Sequence, residues 1–231
     1  MKKKIIALIP ARYDSKTIKR KNFIKLNGKL LINYTIEEAL KSKLIDKIII
    51  STDNFSYLKK FTSYKKNKFI LRIRPKKISG SKSKMIAVIN DSLNLLKKLK
   101  YNYDYIILLQ PTSPLKKSKH IDQAIKRIIS LKANTLISVY KVDDNHPARM
   151  YFKKGDYLKA IFPKLTDTNR QELPFVYHRN GAIYIFKKNT INKKTFYSKK
   201  ICFYEMPFIN SINIDNKIDW ILCETILKNK L

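Results

Sequence analysis

Glycine is scarce in this chain, and so are the residues that mark loop-rich or cross-linked proteins. The 231 residues include 4 glycines, 8 prolines and 2 cysteines, which excludes collagen-like, low-complexity and disulfide-stapled folds. Cys202 and Cys223 stand among apolar neighbours without metal-ligand spacing, so we expect reduced, buried thiols and a cytoplasmic protein. The hydrophobic fraction of 44% is enough for a core, and the length fits a single domain over 1–231.

Acidic residues are also few, with 17 Asp and Glu against 50 Lys and Arg, which gives a formal charge of +33. Such a charge favours anionic partners, among them nucleotides, acidic sugars, nucleic acid or an anionic membrane. The simpler interpretation is a lysine-rich surface in contact with water, because the lysines are spread along the whole sequence. No zinc-finger, RRM or KH pattern interleaves them, so we expect no nucleic acid partner.

Long hydrophobic runs are absent from the sequence. The apolar segment after the basic N-terminus, residues 5–9, stops at Pro10 and is too short for a signal peptide core or a membrane-spanning helix. A buried first strand explains this segment better, and we predict no membrane insertion.

What the sequence does contain is an alternation of strand and helix periods. Short apolar runs predict strands at 5–9, 47–51, 69–73, 105–109, 135–140, 181–186 and 201–206, and apolar spacings of three and four predict helices at 30–41, 86–96, 121–128 and 218–225. This order predicts an α/β fold, an open, mostly parallel, doubly wound sheet. Ligands bind outside the carboxyl ends of such strands. We therefore expect function in the loops after Ile9, Ser51 and Leu109.

Residues 143–180 interrupt this alternation with aromatics, prolines and charges but no helical period. We interpret the segment as a β-rich insertion, an arm on the single domain. Its aromatic residues are numerous enough to bury an interface, and we predict a two-fold homodimer, the commonest oligomer. These aromatics are Tyr151, Phe152, Tyr157, Phe162, Phe175 and Tyr177.

The loop after the first predicted strand is strongly basic, with five cations in the eleven residues 12–22. Cations at the carboxyl edge of a sheet can neutralise the roughly four negative charges of a nucleoside triphosphate through charge-assisted hydrogen bonds. A Walker loop is excluded, because the segment contains no glycine. On charge alone, a solvated basic loop remains the alternative.

A series of short motifs resembles the acylneuraminate (CMP-sialic acid) cytidylyltransferases, in that family's order and over nearly 220 residues. The motifs are IPARxxSKxIxRKN at 9–22, NGKxLIxYTI at 27–36, ISTD at 50–53, RP at 74–75, LQPTSPL at 109–115, RQxLP at 170–174 and NGAIYI at 180–185. The resemblance implies a nucleotide-diphospho-sugar transferase-like fold, in which 143–180 is a dimerisation arm that reaches over the partner's site.

The resemblance also implies a reaction and its nucleotide site. The reaction transfers CMP from CTP to the anomeric hydroxyl of a sialic-acid-like nine-carbon acidic sugar and releases pyrophosphate, with Mg²⁺ as cofactor. Matched by position, Arg12, Lys16 and Lys21 would hold the triphosphate of CTP. Asn22 and Arg74 would bind its cytidine end.

For the sugar, the matched residues are Gln110, Arg170 and, with a weaker match, Arg179. A guanidinium suits the sugar carboxylate because it can donate two parallel hydrogen bonds. The metal pair of the family falls on Asn213 and Asp215, so the implied catalytic residues are Arg12, Lys21 and Asp215. Asp215 has an alternative role, stabilisation of the following helix at its N-terminus.

The sequence departs from the family at three places. Tyr13-Asp14 and Thr17 replace small residues, Ser81 stands where an aspartate is usual, and Asn213 replaces the first aspartate of the metal pair. Backbone amides approach phosphate best without intervening side chains, so we expect Tyr13 to narrow the loop and Asp14 to repel the triphosphate unless it is turned away.

Two alternative functions stay open at this stage. The first is a fold-sharing relative that uses another acidic sugar or is catalytically impaired, and the second is a basic nucleic-acid-binding module. A nucleophilic Ser-His-Asp or Cys-His set is not indicated, because His120, His146 and His178 stand in unrelated contexts.

Overall fold

The computed structural model of the chain describes residues 3–15, 17–59, 61, 67–192 and 194–229. Its strands are β1 Ile5–Pro10, β2 Lys25–Leu26, β3 Lys29–Leu30, β4 Lys47–Thr52, β5 Phe69–Ile73, β6 Tyr105–Leu109, β7 Thr135–Lys141, β8 Tyr151–Lys154, β9 Tyr157–Ala160, β10 Tyr177–Lys187 and β11 Cys202–Glu205. Its α-helices are α1 Leu31–Lys41, α2 Phe55–Lys59, α3 Met85–Lys98, α4 Ser118–Ser130 and α5 Lys217–Asn229.

A seven-stranded sheet in the order β11-β7-β10-β6-β1-β4-β5 organises the fold. Strand β10 is antiparallel to both of its neighbours, β6 and β7. The remaining neighbouring pairs run parallel. This arrangement confirms the predicted open, mostly parallel sheet. Every residue of β1 and β6 is buried, as expected for central strands covered on both faces.

Alternate residues of the central strands pack into different cores, because successive side chains of a strand point to opposite faces. Ala7 and Ile107 belong to the core that includes buried residues of α1 and α4. Ile6 and Ile106 belong to the core that includes α3. Helix α5 packs through Cys223 and other apolar residues into a third, smaller cluster. Among the described residues, no helix has the length and apolarity needed to cross a membrane.

The segment 143–180 contains the antiparallel hairpin β8–β9 and three short 3₁₀ turns, Pro147–Arg149, Pro163–Leu165 and Arg170–Glu172. The hairpin leaves Tyr157 81% exposed. Whether this segment forms an interface stays a prediction.

The carboxyl boundary of the segment differs from the predicted one. Strand β10 begins at Tyr177, and residues 177–179 already pair with β7 in the central sheet. A register shift between Arg179 and Tyr184 interrupts the pairing, and Gly181 adopts a φ of 75° there, in the left-handed region that favours glycine. This irregularity hides the strand's first residues from an analysis of periodicity.

His120 lies in the first turn of α4 and is buried, with 2% of its surface exposed. Its Nδ1 accepts a hydrogen bond from the backbone N–H of Lys117 at 3.2 Å. Burial lowers the pKa of His120 to about 4, and the charges of Lys119 and Lys117 act in the same direction. The imidazole is therefore neutral in the folded protein near neutral pH.

We expect the free energy of unfolding to decrease as the pH falls from about 6.5 towards 4. The unfolded chain takes up a proton on His120 near pH 6.5, whereas the folded chain does so only near pH 4. Urea unfolding at about pH 7.5 and about pH 5 measures the loss. His120→Asn retains an acceptor near Lys117 and removes the titration, so its loss should be smaller. Equal losses in the two proteins would contradict this assignment.

Candidate active site

A cleft of about 410 Å³ opens at the carboxyl edge of the sheet, where the segments after β1, β5 and β6 meet. Its lining is mostly polar and includes Arg12, Ser15, Thr17, Lys21, Asn22, Arg74, Ser81, Gln110, Thr112 and Asp215. The loop after β4 contributes indirectly, since Asp53 Oδ1 accepts a hydrogen bond from the backbone N–H of Tyr13 at 2.6 Å. Two of the three loops singled out in the sequence thus line the cleft, and the third supports it.

Asn22 connects the two ends of the basic loop and leaves one polar atom for a ligand. Its Nδ2 donates to the backbone oxygen of Arg12 at 2.9 Å. Its Oδ1 is buried and has no hydrogen-bond partner within the described part of the chain. Buried polar atoms are nearly always hydrogen-bonded, so this unpartnered acceptor, in a residue that lines the cleft, is an exception.

Arg74 is held rigidly beneath the cleft and is 6% exposed. Its Nη2 donates to the Ser51 backbone oxygen at 3.0 Å, and its Nε donates to Ser51 Oγ at 3.3 Å. Burial lowers the pKa of Arg74, with Arg12 adding to the effect and Asp53 opposing it. The site therefore carries a fixed positive charge that faces a second guanidinium.

Lys21 joins the basic loop to the segment before α5. Its side chain is 9% exposed, and Nζ lies 3.3 Å from Asp215 Oδ1. The same Nζ donates to the Ile214 backbone oxygen at 2.5 Å. One wall of the cleft is therefore closed by a contact between residues far apart in the sequence.

Asn213 and Asp215 lie side by side, as their spacing in an extended segment predicts. Asn213 Nδ2 donates to Asp215 Oδ2 at 2.6 Å. Asn213 Oδ1 accepts from Ser113 Oγ at 3.3 Å. The Asp215 side chain is 71% exposed and borders the cleft.

The cap of α5 is formed by other residues than Asp215. Asn216 Oδ1 accepts from the backbone N–H groups of Ile218 and Asp219 at 2.8 and 3.0 Å. In return, Asp219 Oδ2 accepts from the backbone N–H of Asn216 at 2.9 Å, the reciprocal pattern of a capping box. The cap hydrogen bonds therefore do not need Asp215, whose carboxylate faces Lys21 and Asn213; its role through the helix dipole stays an alternative.

The donor set fits Mg²⁺ in part. No cluster of three or more His, Cys, Asp or Glu side chains exists among the described residues, but Mg²⁺ commonly needs only one or two carboxylates besides substrate phosphates and water. Asp215 supplies one exposed carboxylate at the cleft. Asn213 turns its amide nitrogen towards Asp215, so its oxygen could join the same ion only after rotation of the amide.

A second cleft, of about 550 Å³, adjoins the first and shares Gln110 and Asp215 with it. Its lining includes Tyr140, His178, Arg179, Asn180, Tyr184, Phe208 and Asn213. Arg179 Nη1 donates to Tyr197 Oη at 2.8 Å. The structure thus brings Arg179 and Gln110 together, whereas Arg170 lies in an exposed 3₁₀ turn outside both clefts as the described residues form them.

Tyr13 and Asp14, two of the residues at which the basic loop departs from the family pattern, have different surroundings. Tyr13 packs its ring against Phe23 and Tyr57, at centroid distances of 6.2 and 5.5 Å. Asp14 is exposed and accepts from the backbone N–H of Ser15. Neither of the two lines the cleft, so the expected narrowing by Tyr13 is not found. Lys16 lies outside the described residues.

Lys116 was not predicted as a site residue, because the lysines of the sequence were interpreted as a surface in contact with water. This side chain is fully buried, and burial lowers its pKa to about 7. Its Nζ donates to the backbone oxygens of Gln110 and Ser113 at 2.7 and 2.5 Å and to Thr35 Oγ1 at 2.8 Å. The sequence feature that could have indicated its burial is its position directly after the motif at 109–115.

Comparison with known proteins identifies the family of this chain. The model of the family described as "Cytidylyltransferase" matches residues 6–220. The chain belongs to the cytidylyltransferase family. It is 35% identical, over its whole length, to an N-acylneuraminate cytidylyltransferase of Escherichia coli O18:K1:H7, of which it covers 54%. It is 31% identical to a CMP-N,N'-diacetyllegionaminic acid synthase of Legionella pneumophila, with 97% of each chain covered.

The chain thus spans about half the length of the relative from E. coli and nearly all of the synthase from Legionella pneumophila. The fold also resembles a solved structure of a CMP:2-keto-3-deoxy-manno-octonic acid synthetase complexed with CTP. The TM-score is 0.67 at 15% identity, with 99% of this chain and 100% of that chain covered. This likeness shows a shared fold.

Proposed function

We propose that this chain transfers CMP from CTP to the anomeric hydroxyl of a sialic-acid-like nine-carbon acidic sugar. The observation that carries the proposal is the pair of adjoining clefts that share Gln110 and Asp215. A transfer between two substrates needs their reacting atoms held within a few ångströms of each other. Membership of the cytidylyltransferase family and the activities named for the relatives support the same reaction.

CTP occupies the first cleft in this proposal. Arg12, Lys21 and Lys16 neutralise the triphosphate, and Arg74 binds at the cytidine end. The buried, unpartnered Asn22 Oδ1 accepts a hydrogen bond from the amino group of cytosine. Uracil presents an oxygen at that position and would leave Asn22 Oδ1 without a donor, which costs free energy in a buried site.

The sugar occupies the second cleft. Arg179 donates to its carboxylate, with Arg170 of a partner subunit as a second guanidinium, and Gln110 orients the sugar towards CTP. The anomeric hydroxyl loses its proton to water, and its oxygen forms a bond to the α-phosphorus while the bond from that phosphorus to the bridging oxygen breaks. The electron pair of the broken bond leaves with pyrophosphate. Lys21 and Arg12 stabilise the charge that develops on the phosphate oxygens.

Magnesium is part of the proposal, with Asp215 as its carboxylate ligand and Asn213, once its amide has rotated, as an additional oxygen donor. The ion, when bound, would neutralise charge on the phosphates and polarise the reacting oxygen. Lys21 Nζ, which lies 3.3 Å from Asp215, would orient that carboxylate.

We also infer a two-fold homodimer in the cytoplasm. The hairpin β8–β9 leaves large apolar side chains exposed, among them Phe152 at 63% and Tyr157 at 81%. Such side chains in one projecting element are typical of an interaction surface. Both cysteines are free, which suits a reducing compartment.

The direct test is an assay with CTP, Mg²⁺ and a panel of acidic sugars, with products identified by mass. We expect a CMP-sugar with N-acetylneuraminate, N,N'-diacetyllegionaminate or pseudaminate, and none with UTP. Product only with the eight-carbon 2-keto-3-deoxy-manno-octonate would favour the alternative of another acidic sugar. Salt-sensitive retention of DNA or RNA without turnover would favour the nucleic-acid-binding alternative.

Arg12→Ala should reduce turnover in this assay by about a hundredfold, the cost of losing a preorganised electrostatic contact. The melting temperature should hardly change, because an exposed or half-exposed cation contributes little to stability. Lys19→Ala is the matched control, since Lys19 is exposed in the same loop and does not line the cleft. A wild-type rate in Arg12→Ala would overturn the assignment.

Magnesium titrations of the rate test the role of the 213–215 segment. Asp215→Asn should remove most of the activity, because it eliminates the carboxylate of the proposed metal site. Asn213→Asp adds a charge beside Asp215 and should lower the Mg²⁺ concentration needed for half-maximal rate. If Asp215→Asn leaves the Mg²⁺ dependence unchanged and lowers only the melting temperature, Asp215 is structural and the ion is bound elsewhere.

Sedimentation tests the homodimer. Wild-type protein should sediment as a dimer at assay concentrations, and Tyr157→Asp should shift it towards monomer with reduced activity. Phe55→Asp, at a residue 60% exposed on α2, is the control and should leave the dimer intact. A fully active wild-type monomer would refute the proposal.

A further inference from the structure

Lys116 lies beneath the loop 110–113, whose first residue, Gln110, borders both clefts. Three oxygen atoms surround its Nζ, the backbone oxygens of Gln110 and Ser113 and the Oγ1 of Thr35. In its protonated form the amine has three N–H donors, so each donor then has one acceptor. Thr35 Oγ1 lies 3.5 Å from the Gln110 backbone oxygen, which closes the arrangement around the start of the loop.

The same loop fixes the segment that carries the proposed metal ligands. The backbone oxygen of Thr112 accepts from the backbone N–H of Ile214 at 2.7 Å. Ser113 Oγ donates to Asn213 Oδ1 at 3.3 Å. The position of residues 213–215 therefore depends on the position of residues 110–113, whose two ends are held by Lys116.

The charge of Lys116 is balanced mainly by these dipoles. Among the described residues, no carboxylate pairs with its Nζ, and the facing charged group is Glu38. Glu38 is itself occupied by the backbone N–H of Ser118 and by Lys41. A lysine buried without an ion pair is expensive in free energy unless its donors are satisfied, and here the three surrounding oxygens satisfy them.

We propose that Lys116 is a positioning residue, which fixes Gln110 between the two substrates and, through Thr112 and Ser113, holds Asn213 and Asp215 at the cleft. This inference rests on the proposed function. Loss of Lys116 should mainly impair the placement of the sugar against CTP, because Gln110 and Asp215 border both clefts. Lys21 contacts Ile214, but the side chains of Asn22 and Arg74, also proposed to bind CTP, hydrogen-bond to Arg12 and Ser51 instead. The affinity for CTP alone should therefore change less than the sugar step.

Lys116→Met tests the proposal, with Lys117→Met at the neighbouring exposed position as its control. We expect Lys116→Met to lower kcat/KM for the sugar by about a hundredfold, the cost of a misplacement of about 1 Å. The dissociation constant of CTP, measured without sugar, should change by less than about threefold. Lys117→Met should match the wild type in both.

Thr35→Val serves as a gentler variant in case Lys116→Met does not fold. It removes one acceptor of Lys116 at nearly constant volume and should lower kcat/KM for the sugar by about tenfold, the effect of one hydrogen bond to a charged group. Thr225→Val, at an exposed residue of α5, is the control. Unchanged kcat/KM for the sugar in folded Thr35→Val or Lys116→Met would overturn the proposal.

Hydrogen exchange separates this proposal from the proposed function. The backbone N–H of Ile214 is protected by Thr112, so its exchange should accelerate in Thr35→Val and not in Thr225→Val. If wild-type protein turns over no sugar of the panel, the proposed function fails while this measurement still decides the positioning. Unchanged exchange at Ile214, or only a uniform increase over the whole chain, would overturn the positioning role.

Discussion

The hydrogen bond from Lys21 Nζ to the Ile214 backbone oxygen joins segments 193 residues apart in sequence. Ile214 also donates its backbone N–H to Thr112, so one residue ties together the loop after β1, the loop after β6 and the segment before α5. The two residues that both clefts share, Gln110 and Asp215, lie next to this junction in the sequence. A lysine that only covered the surface could not set such geometry, because its side chain would be mobile in water.

Positive charge dominates this part of the molecule and is stabilised there by neutral dipoles more than by carboxylates. Arg74 is held by Ser51, and Lys116 by two backbone oxygens and a hydroxyl. Hydrogen bonds of this kind orient a cation without cancelling its charge. The electrostatic field in the cleft therefore remains available to a polyanion, which is what the proposed reaction with CTP requires.

Some features of the site were visible in the sequence because they depend on local chain geometry. Asn213 and Asp215 are two residues apart, and an extended segment places such side chains on one side. The carboxyl ends of parallel strands share one edge, which located the loops after β1 and β6. The expectation that Tyr13 narrows the loop was wrong for the opposite reason. Its position depends on Tyr57, an aromatic partner on a helix distant in the sequence.

The sequence by itself determined the alternation of strands and helices, the parallel sheet and the edge at which the cleft opens, because hydrophobic periodicity and chain order express local physics. The tertiary structure alone decided the environment of individual side chains. Lys116 and Lys117 are adjacent lysines, yet one is fully buried and the other is exposed. The contact of Lys116 with Thr35 of α1, below the loop after β6, distinguishes them. Burial depends on how distant segments assemble, which the hydrophobic periodicity of a single segment does not report.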